Sequence, residues 1–168
     1  MITIDPNLRG CGVAHWERGV LVDAVYVKNP ASGRGYEAFV ALGRAVGEYV
    51  RGCIYIENKD LLIIEHPRVY PGMPKTDLND LLDVCGVGAA VAQQLDGLPI
   101  QTVFPSEWKG TMKKQAMLER IASKLTPGEL SVVQQTNKSD TEDILDAVGI
   151  GLWKLGRLST KVFPGAER

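Results

Sequence analysis

Apolar and polar positions divide this chain into a strand-rich first part and an alternating second part. The run Met1-Ile2-Thr3-Ile4 reads as a strand, and Asp5 closes it. Pro6-Asn7 with Arg9-Gly10 reads as a turn. Residues 11–16 and 20–27 read as two strands. Glu17-Arg18-Gly19 between them is the short, Gly-containing connection of a hairpin. After the loop Asn29-Pro30-Ala31-Ser32-Gly33, residues 36–50 place Phe39, Val40, Leu42, Ala45, Val46 and Tyr49 close to helical spacing. Leu61-Leu62-Ile63-Ile64 is a continuous apolar run, the kind of strand buried on both faces of a parallel sheet, and Glu65 closes it.

The second part continues with a loop at 66–74 that carries Pro67, Pro71 and Pro74. Thr76 is placed to cap a helix over 77–95. A short strand is expected at 100–104, then a basic amphipathic helix at 113–125 that Thr126-Pro127-Gly128 breaks. Ser139-Asp140-Thr141-Glu142 fits a capping box, opening a last helix that runs to about residue 158. The order is three strands, helix, strand, helix, strand, helix, helix, with no repeat or second domain. It predicts an α/β fold with a mixed sheet, one domain over 1–158 and a polar, frayed tail over 159–168.

The 168 residues are 45% hydrophobic and 23% charged, an ordinary balance with enough apolar residues for a sizeable core. No apolar run approaches the roughly 20 residues of a membrane span. No basic segment followed by an apolar stretch opens the chain, so no secretory signal is expected. Three cysteines, Cys11, Cys53 and Cys85, are an odd number without CxxC spacing. They speak against zinc and a disulfide framework and for a reducing compartment. Cys85 is expected in the core.

The net charge of −1 does not announce a nucleic-acid binder, but its distribution is uneven. From 109 to 124, Lys109, Lys113, Lys114, Arg120 and Lys124 stand against Glu119 alone, a local +4. From 137 to 146, Lys138 stands against Asp140, Glu142, Asp143 and Asp146, a local −3. A polyanion held by the first block and cut at the second would use that asymmetry. A solvated helix face beside a capped helix start would show the same pattern.

Four of the acids have a common logic. Asp5 and Glu65 each close a strand, and Asp143 and Asp146 are three apart, so they share a helix face. A fold that sets two strand ends beside that helix gathers four carboxylates, which repel and shift one another. Divalent metal is the natural compensation. Mg²⁺ takes oxygen ligands, and two ions about 3.5–4 Å apart can clamp both oxygens of a phosphodiester displacement.

The stretches Ile4-Asp5-Pro6 with Gly10-Cys11-Gly12-Val13-Ala14, then Ile63-Ile64-Glu65, then Trp108-Lys109-Gly110 with Lys113-Lys114, and finally Asp143-Ile144-Leu145-Asp146-Ala147-Val148-Gly149-Ile150 follow in that order over nearly the whole length. Together they resemble the RuvC group of Holliday junction resolvases, in the ribonuclease H-like superfamily. The family's first motif has Gly after Asp-Pro. Asn7 stands there in this chain and tolerates the same left-handed turn geometry.

The resemblance implies a five-stranded mixed sheet, a three-stranded antiparallel part plus two parallel strands, flanked by helices. It implies Asp5, Glu65, Asp143 and Asp146 as ligands of two Mg²⁺ ions, with Mn²⁺ as a substitute and Asp5 as the bridging ligand. Asp140 and Asp143 have the same spacing as Asp143 and Asp146. The later pair is preferred because Asp146 directly precedes the small apolar run, as in the family. The reaction implied is in-line phosphodiester hydrolysis. DNA contacts would fall to Lys109, Lys113, Lys114, Arg68 and Tyr70. The lysines would hold phosphates, and Tyr70 would either stack on unpaired bases or pack on its own prolines. His66 lies across the strand from Glu65, with a lesser claim on proton transfer, and His15 reads as structural or exposed. The helix 77–95 contains Cys85-Gly86-Val87-Gly88-Ala89-Ala90. In the family this helix forms a two-fold dimer, and close packing inside one subunit is the alternative.

The reading is therefore a metal-dependent, structure-selective endonuclease acting on four-way junctions, cytoplasmic, in a bacterium or a phage-infected host. The alternatives are a broader nuclease for flaps and forks, and a non-catalytic junction-binding protein. The latter gains nothing from concentrated negative charge near phosphates. An actin-like ATPase needs more chain and a Gly-rich phosphate loop, and no G-x-S-x-G setting for a nucleophilic hydrolase is present.

Overall fold

The structure is a computed structural model that describes residues 1–53, 60–68, 77–134 and 140–159. Strands β1 (Ile2–Pro6), β2 (Gly10–Glu17), β3 (Val20–Lys28), β4 (Leu62–Glu65) and β5 (Ile100–Val103) form one sheet in the order β3-β2-β1-β4-β5. β1–β2 and β2–β3 pair antiparallel, while β1–β4 and β4–β5 pair parallel. This is the expected mixed sheet. Arg18 and Gly19, with φ of 50° and 83°, make the two-residue hairpin turn between β2 and β3. Positive φ at both positions matches the twist of the flanking strands.

Helices cover both faces of the sheet. α1 (Tyr36–Cys53) and α2 (Leu78–Gln94) lie on one side, and α6 (Thr141–Lys154) lies on the other with α3 (Pro105–Trp108), α4 (Lys114–Ala122) and α5 (Pro127–Gln134). β1 is central and buried along its whole length. Its alternation decides which layer each residue meets. Ile2 and Ile4 join Leu62 and Ile64 against Leu42, Val46, Val87 and Val91 of α1 and α2. Thr3 faces α6 instead. Its hydroxyl donates to the Ala147 carbonyl at 2.7 Å and accepts from the Trp16 indole N–H at 3.2 Å, so the buried polar group is satisfied.

The small residues of α2 are used inside the subunit. A Cβ on Gly86 would press on the Phe39 ring, and one on Gly43 of α1 would meet the Ala90 backbone at 2.7 Å. α2 leaves Leu78 and Leu82 outward, 60% and 68% exposed, beside the polar Asn79 and Gln93.

Several expectations change. α2 is capped by Asp77, whose side chain accepts from the Asn79 N–H at 2.9 Å; Thr76 lies outside the described residues. Ser139 also lies outside the described residues; α6 opens at Thr141 with Asp140 in the N-cap position. α6 stops at Lys154 because Gly156 turns left-handed, with φ of 71°. Of the two readings of His15, structural or exposed, it is the buried, structural one, and burial pulls its imidazole below the ordinary range. α3 and α5 are additional helices. Thr126-Pro127-Gly128 ends one helix and starts another. Glu129 N–H donates to Thr126 Oγ1 at 3.3 Å, and Thr126 N–H to Glu129 Oε2 at 2.8 Å. Proline occupies the first helical position, where its missing N–H costs nothing.

Glu129 also locks the turn after α6 to the hairpin. It is 2% exposed, accepts from the Leu21 N–H, and takes both arms of the Arg157 guanidinium at 2.7 Å. Arg157 pushes its carboxyl down to about 2 from 4.5. A depressed value means the contribution is complete above about pH 5 and is lost as pH falls toward about 2. Glu129→Gln should therefore cost about 3 kcal/mol in urea unfolding at pH 7, and the gap to the wild type should close as the pH is lowered through that window.

Candidate active site

Ile4 of β1 pairs with Ile64 of the parallel neighbour β4. One residue further on, Asp5 and Glu65 stand at the carboxyl ends of adjacent strands. Alternation puts Asp5 with Thr3, and Glu65 with Ile63, on the α6 side of the sheet. The start of α6 descends onto this point because of one residue. Gly12 is the ladder partner of Asp5, and a Cβ there would sit 2.0 Å from the Asp143 carbonyl oxygen. Only glycine lets the helix approach so closely. Asp143 and Asp146 then face Asp5, and the Asn7 side chain donates a hydrogen bond to Asp143.

Lys109, just past α3, reaches into the cluster. Its ammonium lies 3.2 Å from Asp146 Oδ2 and 3.6 Å from Glu65 Oε2, and 4.6 Å from the centre of the Trp108 ring. Trp108 donates its indole N–H to Glu65 Oε2 at 2.5 Å. Lys109, expected as a phosphate contact, pairs with Glu65 and Asp146 in the absence of DNA.

Burial, joined by the charges of Glu65, Asp146 and Asp143, holds the Asp5 carboxyl well above the ordinary range, with Lys109 opposing. Burial also raises Glu65, against Lys109 and the Trp108 hydrogen bond, and raises Asp143, against Lys114. Burial works against the Lys109 ammonium, but Glu65, Asp146 and Asp5 outweigh it and push its value up. Asp140 acts on Tyr26, whose hydroxyl burial pushes up to about 12. Burial likewise pushes the Cys11 thiol up to about 12, which excludes it as a thiolate nucleophile.

Among the described residues no three His, Cys, Asp or Glu side chains converge as a ready group for a metal ion. The donor chemistry nevertheless fits a hard cation. The donors are all carboxylate oxygens, their negative charge is undercompensated by one ammonium, and Mg²⁺ needs only one or two protein carboxylates beside water and phosphate.

The other predicted residues lie around this centre. Lys114 pairs with Glu142, and Lys113 is exposed in the N-cap position of α4. The Arg68 guanidinium stacks 5.1 Å over Phe104, whose ring also meets the exposed His66 edge-on. Tyr70 lies outside the described residues. Cys85 is half-buried rather than core, and lines a groove of about 190 Å³ with Glu65, His66, Gly88, Ala89 and Thr102. Sequence reasoning assigned no role to Trp108 or to the Asn7 side chain, because nothing local says which carboxylate a distant donor will reach.

No protein-family model and no curated protein matches the sequence. The similarity lies in the backbone. Thermus thermophilus RuvC in complex with a Holliday junction substrate matches with a TM-score of 0.59 at 16% identity, over 93% of this chain and 96% of that one. Another Thermus thermophilus RuvC structure matches at 0.58 and 17% identity, over 94% of this chain and 98% of that one. This chain has the ribonuclease H-like fold of RuvC. The likeness is one of fold, since about five in six residues differ.

Two outcomes follow from the geometry. Gly12→Ala should cost about 1–3 kcal/mol in chemical unfolding, because backbone meets backbone and α6 must lift. Asp5→Asn, which relieves the burial and repulsion that hold this carboxyl above its ordinary range, should raise Tm by about 2–4 °C in metal-free buffer at pH 7, the shift that ~1 kcal/mol produces in a chain of this size.

Proposed function

We propose that this chain is a metal-dependent, structure-selective endonuclease that resolves four-way DNA junctions by paired nicks. The observation that carries the reading is that Glu65, Asp146 and Asp143 all act electrostatically on the buried Asp5, with Lys109 between Glu65 and Asp146, at the carboxyl end of the central strand of a RuvC fold.

Asp5, Glu65, Asp143 and Asp146 would hold two Mg²⁺ ions, with Mn²⁺ as a substitute. Bound there, such ions supply activation of water at neutral pH and charge stabilisation at the departing 3′ oxygen. The chain's own groups do the rest. Asp5, nearly excluded from water, sets the centre of negative charge. Lys109 offers a cation to the scissile phosphate at the same point. Lys113 and Lys114 sit at the start of α4, where free backbone N–H groups also attract anions, and would hold the flanking phosphates. Arg68, stacked on Phe104 beside Glu65, would extend this cationic rim, and Tyr70, two residues further along the chain, is the proposed contact to unpaired bases.

A four-way junction presents two symmetric strands, so two copies of the site suit it. The outward stripe of Leu78, Leu82 and Ala89 on α2 supports a homodimer there, since Gly86 and Ala90 are already occupied by α1. Among the described residues no helix is long and apolar enough to cross a membrane.

The test is cleavage of a synthetic four-way junction in Mg²⁺, beside a linear duplex and a flap, with Asp5→Asn as control. The expected result is symmetric nicks in the junction alone, reduced at least about 100-fold by the substitution. Flap and fork cleavage of similar rate would move the reading to a general branched-DNA nuclease. Tight junction binding without cleavage in either metal would leave a binding protein.

A further inference from the structure

We propose that Trp108 is a positioning residue: its indole N–H aims the Glu65 carboxylate, and its ring seats Lys109, so that one buried side chain orients both charges of the proposed metal site. The inference rests on the reading of Glu65 as a metal ligand.

The geometry is over-determined. The indole donates to Glu65 Oε2 at 2.5 Å, and the residue has no exposed surface. An indole N–H is a donor only, so the direction of this bond has no alternative. Glu65 otherwise ends a flexible side chain at the last position of β4, where rotation would carry its carboxylate away from Asp5 and Asp146. Trp108 in turn has nowhere to go. A Cβ on Gly149 would stand 2.4 Å from its Cζ3 and 2.7 Å from Ile121 Cδ1, so the ring lies against the α6 backbone itself, beside α4. The helix that carries Asp143 and Asp146 therefore also fixes the donor that aims Glu65. On the ring face sits the Lys109 ammonium, 4.6 Å from its centre, between Glu65 and Asp146.

A buried indole needs only some acceptor, and a neutral carbonyl would serve structure alone. A carboxylate at the site mouth is a costlier partner to bury. Hydrogen bonds of this kind, behind the groups that touch a metal, are worth about 10–100-fold in metal affinity or activity.

Trp108→Phe keeps the ring and deletes the donor. Calorimetric titration with Mn²⁺ alone, without DNA, should give a dissociation constant about 10–100-fold higher than wild type. The Mg²⁺ concentration needed for half-maximal junction cleavage should rise in proportion, and junction affinity measured in Ca²⁺ should be unchanged. Wild-type Mn²⁺ affinity in folded Trp108→Phe overturns the inference. Glu65→Gln in parallel separates the two readings. If it abolishes Mn²⁺ binding while Trp108→Phe does not weaken it, only the role of Trp108 fails. If Glu65→Gln leaves Mn²⁺ binding intact, the metal-site reading fails first. Should Trp108→Phe not fold, the indole N–H resonance of Trp108 in the ¹⁵N-labelled wild type decides. Mg²⁺ should shift it, and no shift overturns the inference.

Discussion

Like-charge repulsion among buried carboxylates is the constraint around which this protein is arranged. Asp5 is nearly removed from water at the end of the central strand, and Glu65, Asp146 and Asp143 all act to hold its proton on. In water such repulsion is weak, and in a site of low polarisability it is large. The arrangement stands because one cation, Lys109, is carried into the middle, and because the apolar layers on both faces of β1 are extensive enough to hold an unfavourable site in place. The stability is made elsewhere and the site draws on it, a common pattern in functional centres.

Close approach is the second device. Gly12 lets the first turn of α6 rest on the sheet at the register of Asp5, and Gly149 lets the Trp108 ring rest on the same helix. Each glycine removes a Cβ at a place where backbone or ring would otherwise be pushed out. The acids are thus set by main-chain contacts rather than by long side chains reaching across a gap. Main chain in a packed core moves little, so the carboxylates keep their relative positions without a bound partner to organise them.

Around this rigid centre the charge is graded. The acids occupy the carboxyl end of β1 and β4, Lys109 lies among them, and Lys113, Lys114 and Arg68 stand further out. On the proposed reading, a phosphate backbone would meet the outer cations first and the acids only with a compensating cation in place.

Period and punctuation made most of the fold legible. β1, the hairpin, β4, α1, α2 and α6 follow from alternating or continuous apolar runs and from Gly, Pro and Asp at their ends, since these are local properties of the chain. α5 was also written locally, as Thr126-Pro127-Gly128-Glu129, but a Pro-Gly pair signals a stop as readily as a start. The nomination of Asp5, Glu65, Asp143 and Asp146 came from each acid ending or opening an element. Their assembly could not come that way. It depends on the parallel register of β1 and β4, on α6 falling to the Asp5 side, and on Gly12 allowing contact. The inward turn of Lys109, the Asn7 bond to Asp143 and the Trp108 bond to Glu65 were likewise decided only in three dimensions. The sequence by itself determined which segments bury which faces, because burial is set by local pattern. The tertiary structure decided which charges meet, because electrostatic partners are selected by distance in space and not along the chain.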